Sequence, residues 1–203
     1  MSGGASRKPP DRSQVTTKRG DRGKTVAISG VTYSKSHVIM DVCGAVDSLR
    51  AHTAMARLLA LESGAPDAAG HGAFLLWLMH VYFLIGSECS DPLNKHPEHR
   101  KQDVSAKHLE KLEAAQTELE SRTRLPKRFV VGASNRVAAQ LDIASTQARA
   151  LERDVVRLME AAPEFTADSI LPFVNRLSDF LFMLARTIED GQHITVDYGL
   201  LDE

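Results

Sequence analysis

Between Ser134 and Pro163 the chain carries Val137, Leu141, Ala144, Ala148, Leu151, Val155 and Leu158 at intervals of three and four. At 3.6 residues per turn these positions share one side of a helix for about six turns. An apolar stripe of that length has to be covered, so the segment demands partners of its own kind. Ser134-Asn135 offers an N-cap ahead of it, and Pro163 closes it.

Four more segments show the helical period. One runs from about Asp41 to Glu62 and stops at Gly64 with Pro66 beyond. The next, from about His71 to Ser90, is apolar over Phe74–Ile85. That predicts a buried central helix whose apolar run is shorter than the ~20 residues that cross a bilayer. Trp77, Met79 and Phe83 on it read as core. A third helix, from about Val104 to Thr123, turns Leu109 and Leu112 inward and leaves Glu110, Lys111 and Glu113 wet. The last, from about Ala167 to Glu189, lines up Ile170, Phe173, Val174, Leu177, Leu181 and Leu184. The expected fold class is all-α, a five-helix up-and-down bundle whose linkers suit antiparallel neighbours. The expected boundaries are a disordered, flexible N-terminal tail over 1–15, the bundle with a leading loop over 16–190, and a C-terminal tail over 191–203.

Aromatic residues make up only 5% of the chain, which argues against a sheet protein. With 25 basic and 26 acidic residues, no global field marks a nucleic-acid binder. No membrane association is expected either. Cys43 and Cys89 form no CxxC pair, so a reducing cytosol is the default compartment and a cytoplasmic location is expected. Both cysteines read as small buried apolar residues. His96 and His99 share a loop without a carboxylate or thiol at ligand spacing, so no protein-held metal is expected.

Two stretches exceed what a bundle needs. Thr16 to Thr25, TTKRGDRGKT, is basic and punctuated by glycine. Glycines let backbone N–H groups approach a phosphate, and Lys and Thr add donors. It is not a P-loop, because the GxxxxGK[ST] spacing is absent, and a solvated basic tail is the plainer reading. Phe129 to Asn135, FVVGASN, is an apolar loop between helices. On the fourth helix Arg149 and Arg153 lie four apart with Glu152 between them, so both guanidiniums project from one side. Two such groups can clamp a polyphosphate, or simply form a solvated or subunit-bridging face. Asn175-Arg176 on the last helix is similarly open to either reading.

Together these pieces resemble the PduO-type ATP:cob(I)alamin adenosyltransferases over about residues 16 to 187. NRLSDFLFMLAR at 175 to 186 looks like the family's NRLSDLLFVLAR-type signature. Thr17 to Thr25, TKRGDRGKT, looks like its TKTGDxGxT loop, and Cys43 to Leu49, CGAVDSL, like its YGTVDEL element. The resemblance implies a homotrimer with active sites between neighbouring subunits. It implies transfer of the 5'-deoxyadenosyl group of ATP to the cobalt of a reduced corrinoid, cobalamin, with release of triphosphate. Thr17, Lys18, Arg19, Gly20, Thr25, Val26 and Lys35 would then lie in the ATP loop and around the triphosphate. Arg149, Glu152, Arg153 and Asn175 would complete the nucleotide environment, with Mg2+ arriving through ATP. Phe129 would be the wedge at the lower cobalt face that keeps the corrinoid's own base off, and Asp47 an acid of the corrinoid site. A reductase and a cobalamin-dependent acceptor enzyme are the partners such an activity implies.

The chain departs from the family pattern mainly on the corrinoid side. The second threonine of the loop is Arg19, and a hydroxyl residue after Thr25 is Val26. A histidine and an arginine on the fourth helix are Asp142 and Ser145, and a paired arginine is Arg149 followed by Ala150. The missing arginine is the family's partner for the acid at Asp47. Arg50, three residues on, can pair with Asp47 locally instead. An alternative reading follows: a non-catalytic homologue that binds ATP, a corrinoid or another flat ligand as sensor, carrier or partner subunit.

Overall fold

The computed structural model describes residues 18, 20–65 and 67–202. The N-terminal tail over 1–15, Thr17 and Arg19 lie outside the described residues. Five helices dominate: α1 (Val38–Glu62), α2 (Ala68–Ser90), α3 (Ala106–Arg122), α4 (Arg136–Ala161) and α5 (Ile170–Ile188). Local chemistry sets their ends. Asn135 Oδ1 accepts from Ala138 N at 2.9 Å, which places the α4 N-cap at the second residue of the Ser134-Asn135 pair. His37 Nδ1 accepts from Ile39 N and starts α1 earlier than its apolar period suggests. Gly64, at φ 67, then takes the left-handed conformation that follows the α1 C-cap.

α4 packs between α1 and α5. Its stripe is buried along its length from Val137 to Leu158, with Ala138, Ala144 and Ala148 fully enclosed. α2 packs on α1, and α3 packs on α5. Aromatic side chains bridge α2 to α5 and α3. The Trp77 ring lies 5.0 Å from Phe74 and 6.3 Å from Phe173. Phe74 in turn meets Phe180 at 4.8 Å. On the α3 side, Lys111 Nζ stands 4.3 Å above the Trp77 ring.

Three expectations need correction. α2 is not a buried central helix. Phe83 is 65% exposed and Leu76 is also exposed, because the single chain supplies cover for only part of the apolar surface of α2. Its length was also underestimated: α2 has 23 residues and an 18-residue window of mean hydropathy 1.5, enough by length and composition to cross a membrane. Leu75, Leu78, Val81, Tyr82 and Ile85 nevertheless face the protein core. Finally, the fold is mostly rather than wholly helical. Two antiparallel ribbons flank the bundle: β1 (Lys24–Val26) with β2 (Thr32–Ser34), and β3 (Val130–Gly132) with β4 (Ile194–Thr195). Strands of two or three residues are too short to show alternation in a sequence. β4 lies in the segment read as a C-terminal tail.

The α2–α3 connection is organised by Glu88, whose side chain is 11% exposed. It accepts from Val104 N at 2.6 Å and from Arg100 Nη2 at 3.3 Å. Burial pushes its pKa up, against the lowering effect of the Val104 N–H.

Two outcomes are expected in denaturant unfolding. Leu151→Ala, at a fully buried α4 position, lowers stability by about 2–5 kcal/mol. The folded pKa of Glu88 lies above its ordinary 4.5, so its contribution is complete below that value and is lost as pH rises through the higher folded one. Glu88→Gln therefore removes a falling component of stability across that interval, and a pH series of midpoints for both proteins reads it.

Candidate functional site

The N-terminal loop folds back on itself ahead of α1. Gly23 N donates to Gly20 O at 3.2 Å, and Lys35 N donates to Gly23 O at 2.9 Å. Gly23, at φ 74, sits where side chains are strained. Lys35 lies directly against Gly20: a Cβ there would stand 2.9 Å from Lys35 Nζ, the movable end of a flexible side chain. The ammonium of Lys35 thus rests over the loop, although fifteen residues separate it from Gly20 in sequence. β1 and β2 carry the two ends, pairing Thr25 with Tyr33. Lys18, Lys24 and Lys35 are all exposed there, a cluster of ammonium groups on glycine-bearing chain.

Val26 continues from this loop into the wall of a cavity of about 330 Å³ between β1, α1 and α2. Cys43, Asp47, Arg50, Tyr82 and Phe83 are among its other lining residues. Asp47 and Arg50 are the only charged ones among the described residues. Arg50 Nη2 lies 3.1 Å from Asp47 Oδ1, and its guanidinium lies 5.6 Å from the Phe83 ring centroid. The Asp47 side chain is 73% exposed, so this local pair contributes little to stability. The sequence offered Arg50 as a local partner of Asp47, and the pair forms; Phe83 was not singled out as a site residue. For Phe83 the apolar run read as core, and its exposure on this cavity corrects that reading; Trp77 and Met79 are half-buried against the core.

The α4–α5 face is separate. Asn175 Nδ2 donates to Glu152 Oε1 at 2.8 Å. Arg149 and Arg153 are exposed and make no ion pair among the described residues. Ser145 Oγ donates to Ser178 O at 2.8 Å, which occupies it inside the chain. Asp142 accepts from Arg186 Nη2 at 2.9 Å.

Phe129 stands at the edge of the β3–β4 ribbon, 81% exposed. Val196 N donates to its carbonyl at 2.8 Å. A cavity of about 430 Å³ lies beside it, lined by Lys127, Arg128, Val196 and Tyr198 among others. Nothing in the sequence reading pointed to Tyr198, which lines this cavity with Phe129 because β4 pairs with β3.

The chain therefore gathers Lys18, Gly20, Thr25 and Lys35 in one loop, links them through Val26 to Asp47, and pairs Glu152 with Asn175. Among the described residues no hydrogen bond or ion pair joins the first group to Arg149, Glu152, Arg153 or Asn175. One further arrangement corrects the reading of the histidine loop. Glu98 does join His96 and His99: His96 Nδ1 lies 3.0 Å and His99 Nε2 3.9 Å from Glu98 Oε1. The three donors lie within 4.8 Å of one another, because a 3-10 turn over Pro97–His99 brings residues three apart to one side.

Burial raises the pKa of Cys43, and the neighbouring Asp47 carboxylate raises it further. Asp47→Asn removes the second effect. The pH profile of Cys43 modification by a thiol reagent should then shift to lower pH, while Cys89, buried and raised by that burial, stays slow in both proteins.

The sequence profile described as cobalamin adenosyltransferase matches residues 15–188. The cobalamin adenosyltransferase of Cupriavidus metallidurans is 32% identical over 181 residues, covering 87% of this chain and 88% of that protein. The corrinoid adenosyltransferase of Bacillus subtilis is 30% identical over 176 residues, 86% of each. The corrinoid adenosyltransferase PduO of Salmonella typhimurium is 28% identical over 180 residues, 88% of this chain, which spans only 51% of that protein's length. Among solved structures, a variant PduO-type ATP:corrinoid adenosyltransferase from Lactobacillus reuteri, complexed with cobalamin and ATP, superimposes with a TM-score of 0.78. It is 23% identical, with 91% of this chain and 96% of that one covered, and it establishes the fold. With its sequence matched over nearly the whole bundle and its helices packed in the same way, the chain belongs to the cobalamin adenosyltransferase family.

Proposed function

We propose that this chain transfers the 5'-deoxyadenosyl group of ATP to the cobalt of a reduced corrinoid, cobalamin, and releases triphosphate. The observation that carries the reading is the lysine-bearing loop at Gly20, joined through Val26 to the largely apolar cavity that holds Asp47. It sets a place for phosphate charge beside a wall for a flat ligand. The reaction is an in-line displacement at C5'. The Co(I) electron pair forms the cobalt–carbon bond as the bond from C5' to oxygen breaks, and that oxygen leaves with the triphosphate. No general base is needed. The protein's part is to position the reactants, to stabilise charge on the leaving group, and to exclude water.

Lys18, Gly20, Thr25 and Lys35 hold the triphosphate in this reading, together with Thr17 and Arg19. Arg149, Glu152, Arg153 and Asn175 complete the nucleotide site. Glu152 and Asn175 carry oxygen donors of the kind Mg2+ prefers, which suits a metal brought in by ATP. Phe129 keeps the corrinoid's lower base away from cobalt. Among the described residues no hydrogen bond or ion pair joins the two nucleotide groups within one chain, and this supports a homotrimer in which a loop from one subunit meets the α4–α5 face of the next. Rotational symmetry closes such heterologous contacts into a ring.

A second reading draws on Asp47 and Ser145. Asp47 is paired with Arg50 of its own helix, and Ser145 is tied to the Ser178 carbonyl. Neither contact bridges subunits around a corrinoid, which favours slow adenosylation or binding without turnover.

The deciding measurement is the spectral change of chemically reduced cobalamin on adding ATP and the protein. Formation of the cobalt–carbon product supports the enzyme. ATP binding without product, in the wild type and in Ser145→Arg, supports the non-catalytic reading, and a gain on Ser145→Arg marks a weakened enzyme. Arg149→Ala and Lys35→Ala should each weaken ATP binding in calorimetry by about 1.5–3 kcal/mol, with unfolding midpoints preserved. Unchanged affinity in both removes these residues from the site. Light scattering at micromolar concentration should return a trimer, and a monomer would undo the shared-site arrangement.

A further inference from the structure

We propose that Glu189, together with His193, is a positioning residue that holds the Phe129 loop against the corrinoid face. The inference rests on the assignment of Phe129 as the lower-face wedge. Phe129 itself is exposed, so burial does not fix its side chain. What fixes its loop lies behind it. The Glu189 side chain is 0% exposed, at the end of α5. Its Oε1 accepts from Ser134 N at 2.8 Å, just beyond β3. Its Oε2 lies 2.6 Å from His193 Nδ1, just ahead of β4. One carboxylate thus grips both strands of the ribbon at whose edge Phe129 stands.

The grip is backed by charge. Arg186, with 2% of its side chain exposed, lies one helical turn before Glu189. Its Nη2 donates to Glu189 Oε1 at 3.3 Å and to Asp142 Oδ2 at 2.9 Å. Its Nε lies 2.9 Å from Glu189 Oε2, an ion-pair contact without hydrogen-bond alignment. A buried carboxylate is costly unless it is paired and its lone pairs are used, and Glu189 meets both conditions. Asp142 extends the network to α4, so α4, α5, β3 and β4 all meet behind Phe129. A bundle of this size closes without such a charged cluster. The Arg186–Asp142 contact ties the cluster to the α4–α5 interface, while both contacts of Glu189 beyond its own helix go to the chain beside the ribbon, and this points to the ribbon as what the carboxylate holds. Misplacing a reacting group by about 1 Å costs on the order of a hundredfold in rate, which gives such a clamp a purpose.

The test uses the full chain with ATP and cob(II)alamin. The fraction of bound corrinoid in the base-off form is read from its visible spectrum and its electron paramagnetic resonance. Wild type should show base-off corrinoid, and Phe129→Ala should abolish it. His193→Ala releases β4 alone and leaves the Arg186–Glu189 pair in place. Glu189→Gln keeps the shape but removes the charge. Both should lose most of the base-off signal and lower kcat on the order of tenfold or more, with KM for ATP within about twofold of wild type. His193→Gln, which keeps a donor, should recover part of the signal. A general loss of structure would instead raise KM for ATP along with the fall in kcat, and that result overturns the proposal. So does an unchanged base-off fraction in His193→Ala, which decides the matter even if Glu189→Gln fails to fold. Absence of the base-off form in wild type overturns the wedge assignment itself, and this inference with it.

Discussion

The contact of α4 with α1 on one side and α5 on the other is the constraint on which the molecule depends. Alanine at 138, 144 and 148 lets neighbouring backbones come close, while Leu141, Leu151, Val155 and Leu158 fill the space between them. Each buried leucine contributes roughly 1.5–3 kcal/mol by leaving water. Because α4 is fixed on both flanks, its outward residues are fixed too. Arg149, Glu152 and Arg153 owe their common direction to that burial rather than to any contact of their own.

The residues proposed for the chemistry stand on the ends and outer faces of a helical scaffold. A lysine-bearing loop precedes α1, an aromatic residue stands on a ribbon before α4, and a carboxylate–amide pair spans α4 and α5. The bundle leaves these groups apart and leaves apolar surface on α2 uncovered at Phe83 and Leu76. In the proposed trimer a neighbouring subunit would complete the nucleotide site and cover apolar surface of this kind.

Helices were legible in the sequence because their signals are dense. The α4 period spans seven apolar positions, and Asn135, Gly64 and Pro163 mark ends by chemistry that acts within a few residues. The family signature at 175 to 186 was legible for a similar reason, since it joins a buried stripe to an unusual asparagine. The ribbons were not, because β3 has three residues and β4 two, and their pairing links positions far apart in the chain. The position of α2 was misread because apolarity all round a helix reports what must be covered, not which chain covers it. Glu98 was passed over between His96 and His99, since only the tight turn at Pro97 brings its carboxylate to the imidazoles. The Glu189 cluster was invisible for another reason: Ser134 takes part through its backbone N–H, which any residue but proline could supply.

The pairing of Val130 with Thr195 also sets an order of events during synthesis. All four helices before α5, and α5 itself, are made before β4 leaves the ribosome. The chain around Phe129 therefore has no partner strand, and Ser134 no carboxylate, until the end of α5 and β4 have both emerged. A ribosome adds on the order of 5–20 residues per second, so the earlier helices have time to form before then. The Phe129 loop takes its shape from chain made some sixty residues later, and so sets after the helices that precede it.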